Sequence, residues 1–121
     1  LYSEKKVVVV TGDGGIMMTL GELETAVRLK IDLVVLILDD SGYGMIRWKQ
    51  KEMNLPSFGL SFNNPDFVML AKSFGATGHK IEKADDLFLV LEKALNSKGV
   101  HIIACPIDYE KANESLKLKL G

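Results

Sequence analysis

The chain has 121 residues, of which 47% are hydrophobic and 26% are charged, and its formal net charge is −1. This length allows one domain with its own core, and the small net charge predicts no general attraction to nucleic acid or to an anionic membrane. No apolar run approaches the roughly 20 residues of a membrane span, and the single cysteine, Cys105, excludes an internal disulfide framework and favours a reducing compartment, which we expect to be the cytoplasm.

The first half of the chain predicts strands that alternate with helices. Residues 7–10 are four consecutive valines, which is typical of a strand covered on both faces. Thr19 and Glu22 have the spacing of a capping box, and they predict a helix over residues 20–30. The remaining predicted elements of this half are a fully buried strand at residues 33–38 and a short helix at residues 43–52.

The second half continues this alternation after an irregular loop at residues 52–63. Asn64 offers a capping side chain and Pro65 follows where no amide hydrogen is needed, so a helix is predicted to begin here. This helix ends at Phe74, with Gly75 as its C-terminal cap. The other predicted elements are strands at residues 77–81 and 101–107, a helix at residues 85–96, and a charged tail helix. The alternation predicts an α/β fold with a mainly parallel sheet and helices on both faces.

Two turns rich in acids and glycines follow the first two predicted strands. "GDGG" comes after the first strand and "DDSGYG" after the second, and ligands of open parallel sheets bind at such strand ends. If the two strands are neighbours, Asp13 and Asp40 face one crevice, where two unpaired carboxylates would repel each other. Magnesium would relieve this repulsion, because it takes about six oxygen ligands, commonly carboxylates and phosphates. The alternative is that both turns are solvated structure, since Gly-Asp-Gly is also a common turn composition.

The spacing of these residues resembles the thiamine diphosphate-binding motif, which begins with Gly-Asp-Gly and ends with an Asn-Asn or related pair. Here the motif is formed by Gly12, Asp13 and Gly14 and, after the second strand, by Asp40. The segments "ELETAVRLKIDLVVLILDDSGYGMI", "NPDFVMLAKSFGATG" and "GVHIIACPIDY" are similar to the acetolactate synthase group of thiamine-dependent enzymes. The resemblance implies the thiamine diphosphate-binding fold. It also implies that residues 1–121 are an N-terminally truncated C-terminal domain of a larger multidomain enzyme.

By position, the resemblance implies that Asp13 and Asp40 bind Mg²⁺ through their side chains and Gly42 through its carbonyl. Biosynthetic acetolactate synthases carry a tryptophan near the substrate channel, and Trp48 lies one position before the matching place, which Lys49 takes. Trp48 is therefore a candidate for the substrate channel, with packing of its own helix as the alternative. Many relatives have serine where this chain has Gly15, so a hydroxyl contact to phosphate would be lost. The resemblance implies thiamine diphosphate contacts at five positions: Gly12, Gly14, Gly15, Tyr43 and Met45.

The implied reaction is decarboxylation of pyruvate and carboligation to a second 2-oxo acid, in a biosynthetic (branched-chain amino acid) or catabolic role. The family also implies a homodimer or homotetramer, and FAD is possible elsewhere in the parent enzyme. Its activating glutamate matches no residue of this chain, so we expect the chain alone to be inactive. Two alternatives stay open: another thiamine-dependent 2-oxo acid decarboxylase or carboligase, and a non-catalytic magnesium–nucleotide-binding domain.

Overall fold

Four strands form a single parallel sheet in the computed structural model, which describes residues 5–108 and Lys111. The strand order is β1-β2-β4-β3, and each neighbouring pair is parallel. The strands are β1 (Val7–Gly12), β2 (Leu33–Asp39), β3 (Thr77–Lys80) and β4 (Val100–Pro106). The predicted parallel α/β sheet is therefore confirmed, whereas the predicted tail helix lies largely outside the described residues.

Helices cover both faces of the sheet, as predicted. On one face, Leu23 and Phe67 pack against sheet residues that include Ile37, and on the other face Ala94 packs with Val34. Alternate residues of the central strands supply the two cores, because side chains of a strand point to opposite faces. None of the helices within residues 5–108 has the length and apolar character that a membrane crossing requires. The helices are α1 (Asp13–Met18), α2 (Glu22–Arg28), α3 (Gly44–Glu52), α4 (Phe67–Ser73) and α5 (Asp86–Asn96).

The strand β1 lies at the edge of the described sheet, and the prediction that both its faces are covered is wrong for the described residues. Its four valines, at residues 7–10, are between 39% and 61% exposed. The strand pairs with β2 on one side only in this part of the chain. A β-branched run favours a strand, but it carries no information about which neighbours the strand has.

The helices near the first turn begin at other residues than predicted. The helix α1, which the sequence did not predict, begins directly at Asp13. The predicted capping box is wrong, because α2 begins at Glu22 after Gly21 and has no side-chain cap. The backbone carbonyl of Thr19, and not its hydroxyl, accepts the Glu22 N–H at 3.0 Å. The helix α2 thus corresponds to a shorter part of the helix predicted over residues 20–30, and α1 is an additional helix where a turn was predicted.

The helix α4 is capped by Asp66 and not by Asn64, which corrects the predicted helix start. The Asp66 carboxylate accepts hydrogen bonds from the backbone N–H groups of Val68 (2.8 Å) and Met69 (3.0 Å). The helix ends near the predicted residue, and Gly75 has the left-handed φ of 83° that favours glycine after a helix. With Asp66 as the cap, the side chain of Asn64 is directed elsewhere.

Candidate functional site

A cavity of about 400 Å³ opens at the carboxyl ends of β1 and β2. The two strands are paired so that Gly12 lies beside Leu38, and both acid–glycine turns therefore emerge at the same edge of the sheet. Asp13 and Asp40 line this one cavity together. The lining residues are Gly12, Asp13, Gly14, Gly15, Leu38, Asp40, Gly42, Tyr43, Gly44, Met45, Ile46 and Ile107.

Asp13 is the first residue of α1, and its side chain is buried, with a residue exposure of 2%. One carboxylate oxygen, Oδ1, accepts the Gly14 N–H at 2.8 Å. The other, Oδ2, accepts the Gly42 N–H at 3.3 Å and an amide hydrogen of Asn64, with an Nδ2–Oδ2 distance of 2.6 Å. The carboxylate is thus held by three donors from three segments of the chain, which fixes its orientation.

Asp40 follows β2, and its side chain is 10% exposed. Its Oδ2 lies 3.8 Å from Arg47 Nη1 but makes no hydrogen bond to any described residue. Burial raises the pKa of Asp40, the charge of Asp13 raises it further, and the Arg47 guanidinium opposes this rise. The cavity therefore contains a carboxylate whose negative charge is incompletely compensated.

Asn64 connects the two acid turns from the loop before α4. Its Nδ2 donates to Asp13 Oδ2 at 2.6 Å and to Asp39 Oδ1 at 2.8 Å. Asp39 Oδ1 also accepts the Ser41 N–H at 3.0 Å. The sequence does not predict this bridge, because it indicates a helix cap at Asn64. The local signals at Asn64, a polar side chain before proline, are the same for both roles.

Because Gly14 has no side chain, the ring of Tyr43, which lines the cavity, can pack close to the backbone at residue 14. A Cβ at this position would lie 2.8 Å from Tyr43 Cε1, which is closer than real Cβ atoms approach other atoms. The Tyr43 ring packs edge-on against Phe62, with 4.9 Å between ring centroids. The Gly14 N–H, which the resemblance assigns to the diphosphate, donates to Asp13 in this structure.

Gly15 lies against the hydroxyl of Thr11. A Cβ at residue 15 would be 2.8 Å from Thr11 Oγ1, and this hydroxyl in turn donates to the Gly12 carbonyl at 3.2 Å. The serine that many relatives carry at position 15 would need the Thr11 side chain to rotate. A hydroxyl therefore lies close to this turn even though residue 15 has none.

The two remaining candidate residues, Met45 and Trp48, lie on α3 and have different surroundings. Met45 lines the cavity and is 57% exposed. Trp48 is half-buried on α3, outside the lining of the cavity, and the Nζ of Lys49 lies 4.4 Å from its ring centroid. Its role beside a substrate channel stays a prediction.

The residues of the cavity fit a magnesium ion. Two carboxylates, Asp13 and Asp40, come from adjacent strand ends, and one oxygen of Asp40 is buried without a hydrogen bond to the described residues. No group of three or more His, Cys, Asp or Glu side chains suited to a metal occurs in the described part of the chain. A centre with two carboxylates leaves the other positions to backbone, water and phosphate oxygens, which is how Mg²⁺ is usually held.

Comparisons with known proteins agree on one family. Residues 1–105 match the family model described as thiamine pyrophosphate enzyme, C-terminal TPP binding domain. The acetolactate synthase of Bacillus subtilis (strain 168) is 44% identical over 105 residues, which are 87% of this chain and 18% of that protein. The catabolic acetolactate synthase of Raoultella terrigena is 38% identical over 106 residues, which are 88% of this chain and 19% of that protein.

A solved structure with the same fold is the benzoylformate decarboxylase from Polynucleobacter necessarius. It is 27% identical, with a TM-score of 0.81, and the match covers 87% of this chain and 20% of that chain. The present chain thus spans about a fifth of each of these larger proteins.

Proposed function

The chain belongs to the thiamine pyrophosphate enzymes, as their C-terminal TPP-binding domain, and from this premise we propose that it holds the magnesium–diphosphate end of thiamine diphosphate (thiamine pyrophosphate) within a larger enzyme. The observation that carries the proposal is the pair of carboxylates, Asp13 and Asp40, which line one cavity at adjacent strand ends. A buried Asp40 oxygen without a hydrogen bond from the described residues is a group that a cation would satisfy.

In this proposal the side chains of Asp13 and Asp40 and the carbonyl of Gly42 bind Mg²⁺. The backbone of the first turn lies beside the diphosphate, and the Tyr43 ring and Met45 form the wall next to the cofactor. Thiamine diphosphate, when bound, supplies a nucleophilic carbon and an electron sink for the decarboxylation of 2-oxo acids. The protein's contribution is to orient the diphosphate, and the fixed carboxylate of Asp13 serves that purpose.

The proposed reaction is decarboxylation of pyruvate followed by carboligation to a second 2-oxo acid. With pyruvate as the second acid it yields acetolactate, the product in the name of the relatives. The two acetolactate synthases that are 44% and 38% identical support this assignment. We assign the activating glutamate, the substrate contacts and any FAD to other domains or subunits of a dimeric or tetrameric enzyme. A second candidate is decarboxylation without carboligation, because a structural neighbour that is 27% identical is named a benzoylformate decarboxylase.

Product analysis with the full-length enzyme tests the reaction. The enzyme is incubated with pyruvate, Mg²⁺ and thiamine diphosphate, and the products are identified by mass spectrometry and NMR. Acetolactate is the expected product. Acetaldehyde alone would overturn the carboligation and retain the cofactor site, and no conversion of pyruvate would overturn the proposed substrate.

Cofactor binding tests the site independently of turnover. Asp13→Ala and Asp40→Ala should each abolish Mg²⁺-dependent binding of thiamine diphosphate, measured by isothermal titration calorimetry, while the far-UV circular dichroism stays unchanged. Glu92→Ala is the matched control, because it removes an exposed carboxylate on α5. Binding that is unchanged in both aspartate variants would overturn the site assignment.

A further inference from the structure

The Asn64 side chain donates two hydrogen bonds and accepts none from the residues that the structure describes. Both of its bonds run from Nδ2 to carboxylates, to Asp13 at 2.6 Å and to Asp39 at 2.8 Å. Its Oδ1 is buried and receives no hydrogen bond from residues 5–108 or Lys111. A buried amide oxygen without a partner carries a desolvation cost, which the two hydrogen bonds from Nδ2 to the acids offset.

The chemistry of the acids fixes the orientation of this amide. Ionised carboxylates only accept hydrogen bonds, and the NH₂ group is the only donor in an asparagine side chain. The two hydrogens of Nδ2 therefore point to Asp13 and Asp39. The reverse amide orientation would place Asn64 Oδ1 next to two carboxylate oxygens, which cannot donate a hydrogen bond to it. An amide also bridges the acids without a charge, whereas lysine or arginine at this position would repel a cation in the cavity.

The backbone around Asn64 is suited to hold the amide still. Pro65 restricts the preceding residue to extended conformations. Asp66 then caps α4, and Phe67, the first residue of that helix, is only 3% exposed. The loop is thus anchored to the core within three residues of Asn64.

We infer that Asn64 is a positioning residue for the metal site: it orients the Asp13 carboxylate and separates it from Asp39, so that Asp13 is directed toward the cation before the cofactor binds. This inference rests on the proposed function, because Asn64 acts through a carboxylate that we assign to Mg²⁺. Residues that orient a metal ligand typically contribute about 10- to 100-fold to metal affinity.

The test compares two neighbouring asparagines in the full-length enzyme. Asn64→Ala should raise the Mg²⁺ concentration that half-saturates thiamine diphosphate binding by about 10-fold, and excess Mg²⁺ should recover most of the lost turnover. Asn63→Ala is the control, because Asn63 is exposed and adjacent. Asn64→Ser keeps a polar side chain that is too short to bridge both acids. It should shift the half-saturation in the same direction, and it decides the question if Asn64→Ala fails to fold.

The outcomes separate this inference from the proposed function. The inference would be overturned if the folded Asn64 variants needed the same half-saturating Mg²⁺ concentration as Asn63→Ala. If binding were at the same time abolished in Asp13→Ala, the site assignment would stay intact. Unchanged binding in Asp13→Ala would overturn both. A loss of turnover in Asn64→Ala that excess Mg²⁺ does not recover would also contradict the inference, because it would assign Asn64 to the chemistry itself.

Discussion

Replacing Gly14 with alanine should weaken cofactor binding, because the new methyl group would displace the Tyr43 ring. The added Cβ would lie 2.8 Å from Tyr43 Cε1, whereas carbon atoms pack at about 3.5–4.0 Å. The ring must therefore retreat by about 0.7 Å or more, and Phe62, with its ring centroid 4.9 Å away, blocks one direction. Overpacking of this kind costs about 1–3 kcal/mol. If the free energy of cofactor binding is weakened by this amount, the Kd of thiamine diphosphate rises about 5- to 150-fold.

Calorimetric titration of the full-length enzyme with thiamine diphosphate, at saturating Mg²⁺, measures this effect. Gly21→Ala is the matched control, because Gly21 has helical φ and ψ angles of −59° and −25° and open space where its Cβ would lie. In the double variant Gly14→Ala/Phe62→Leu, the Tyr43 ring gains room and affinity should partly return. A Kd for Gly14→Ala within twofold of the Gly21→Ala value would refute the reasoning.

Two further predictions concern stability. Gly78→Ala should lower the free energy of unfolding by about 1–3 kcal/mol, because its Cβ would lie 2.6 Å from Val68 Cα, a backbone atom that cannot rotate away; an unchanged urea midpoint would contradict this. His79 Nε2 lies 3.3 Å from His101 Nδ1, and burial, followed by the charges of His101 and Lys93, lowers the pKa of His79 below its usual 6.5. As the pH falls, the unfolded chain therefore binds a proton at His79 before the folded chain does. The contribution of the neutral His79 to the free energy of unfolding is complete above about pH 6.5 and is lost as the pH falls toward the lower folded-state pKa. The difference in the free energy of unfolding between wild type and His79→Gln, measured by urea titration, should shrink from pH 7.5 to pH 5. A difference that does not change with pH would contradict the lowered pKa of His79.

The part of the site that local patterns encode could be predicted from the sequence. Asp13 and Asp40 each follow a strongly apolar strand, and adjacent parallel strands bring such residues to one edge of the sheet. The bridge from Asn64 could not be predicted, because it depends on how the loop before α4 folds back onto the turns. No periodicity or spacing in the sequence predicts that contact.

The fold shows the same division between local and tertiary information. The helix α1 (Asp13–Met18) was missed because it contains two glycines, which have low helix propensity, and tertiary packing of Ile16 outweighs that preference. The position of β1 at the edge of the described sheet was missed for a related reason. The four valines predict a strand correctly, but the neighbours of a strand are determined by the topology of the whole domain.

The edge of β1 that is exposed within residues 5–108 has a practical consequence for a separately expressed form of these residues. A strand with free backbone N–H and C=O groups and apolar side chains is a template for pairing with another chain. Here the valines at residues 7–10 are 39% to 61% exposed, and the described residues place no glycine, proline or charged side chain among them. Residues 5–108 in isolation would therefore carry an intrinsic tendency to assemble edge to edge, and their solubility would be limited by this strand even when every helix and the remaining sheet are correctly folded.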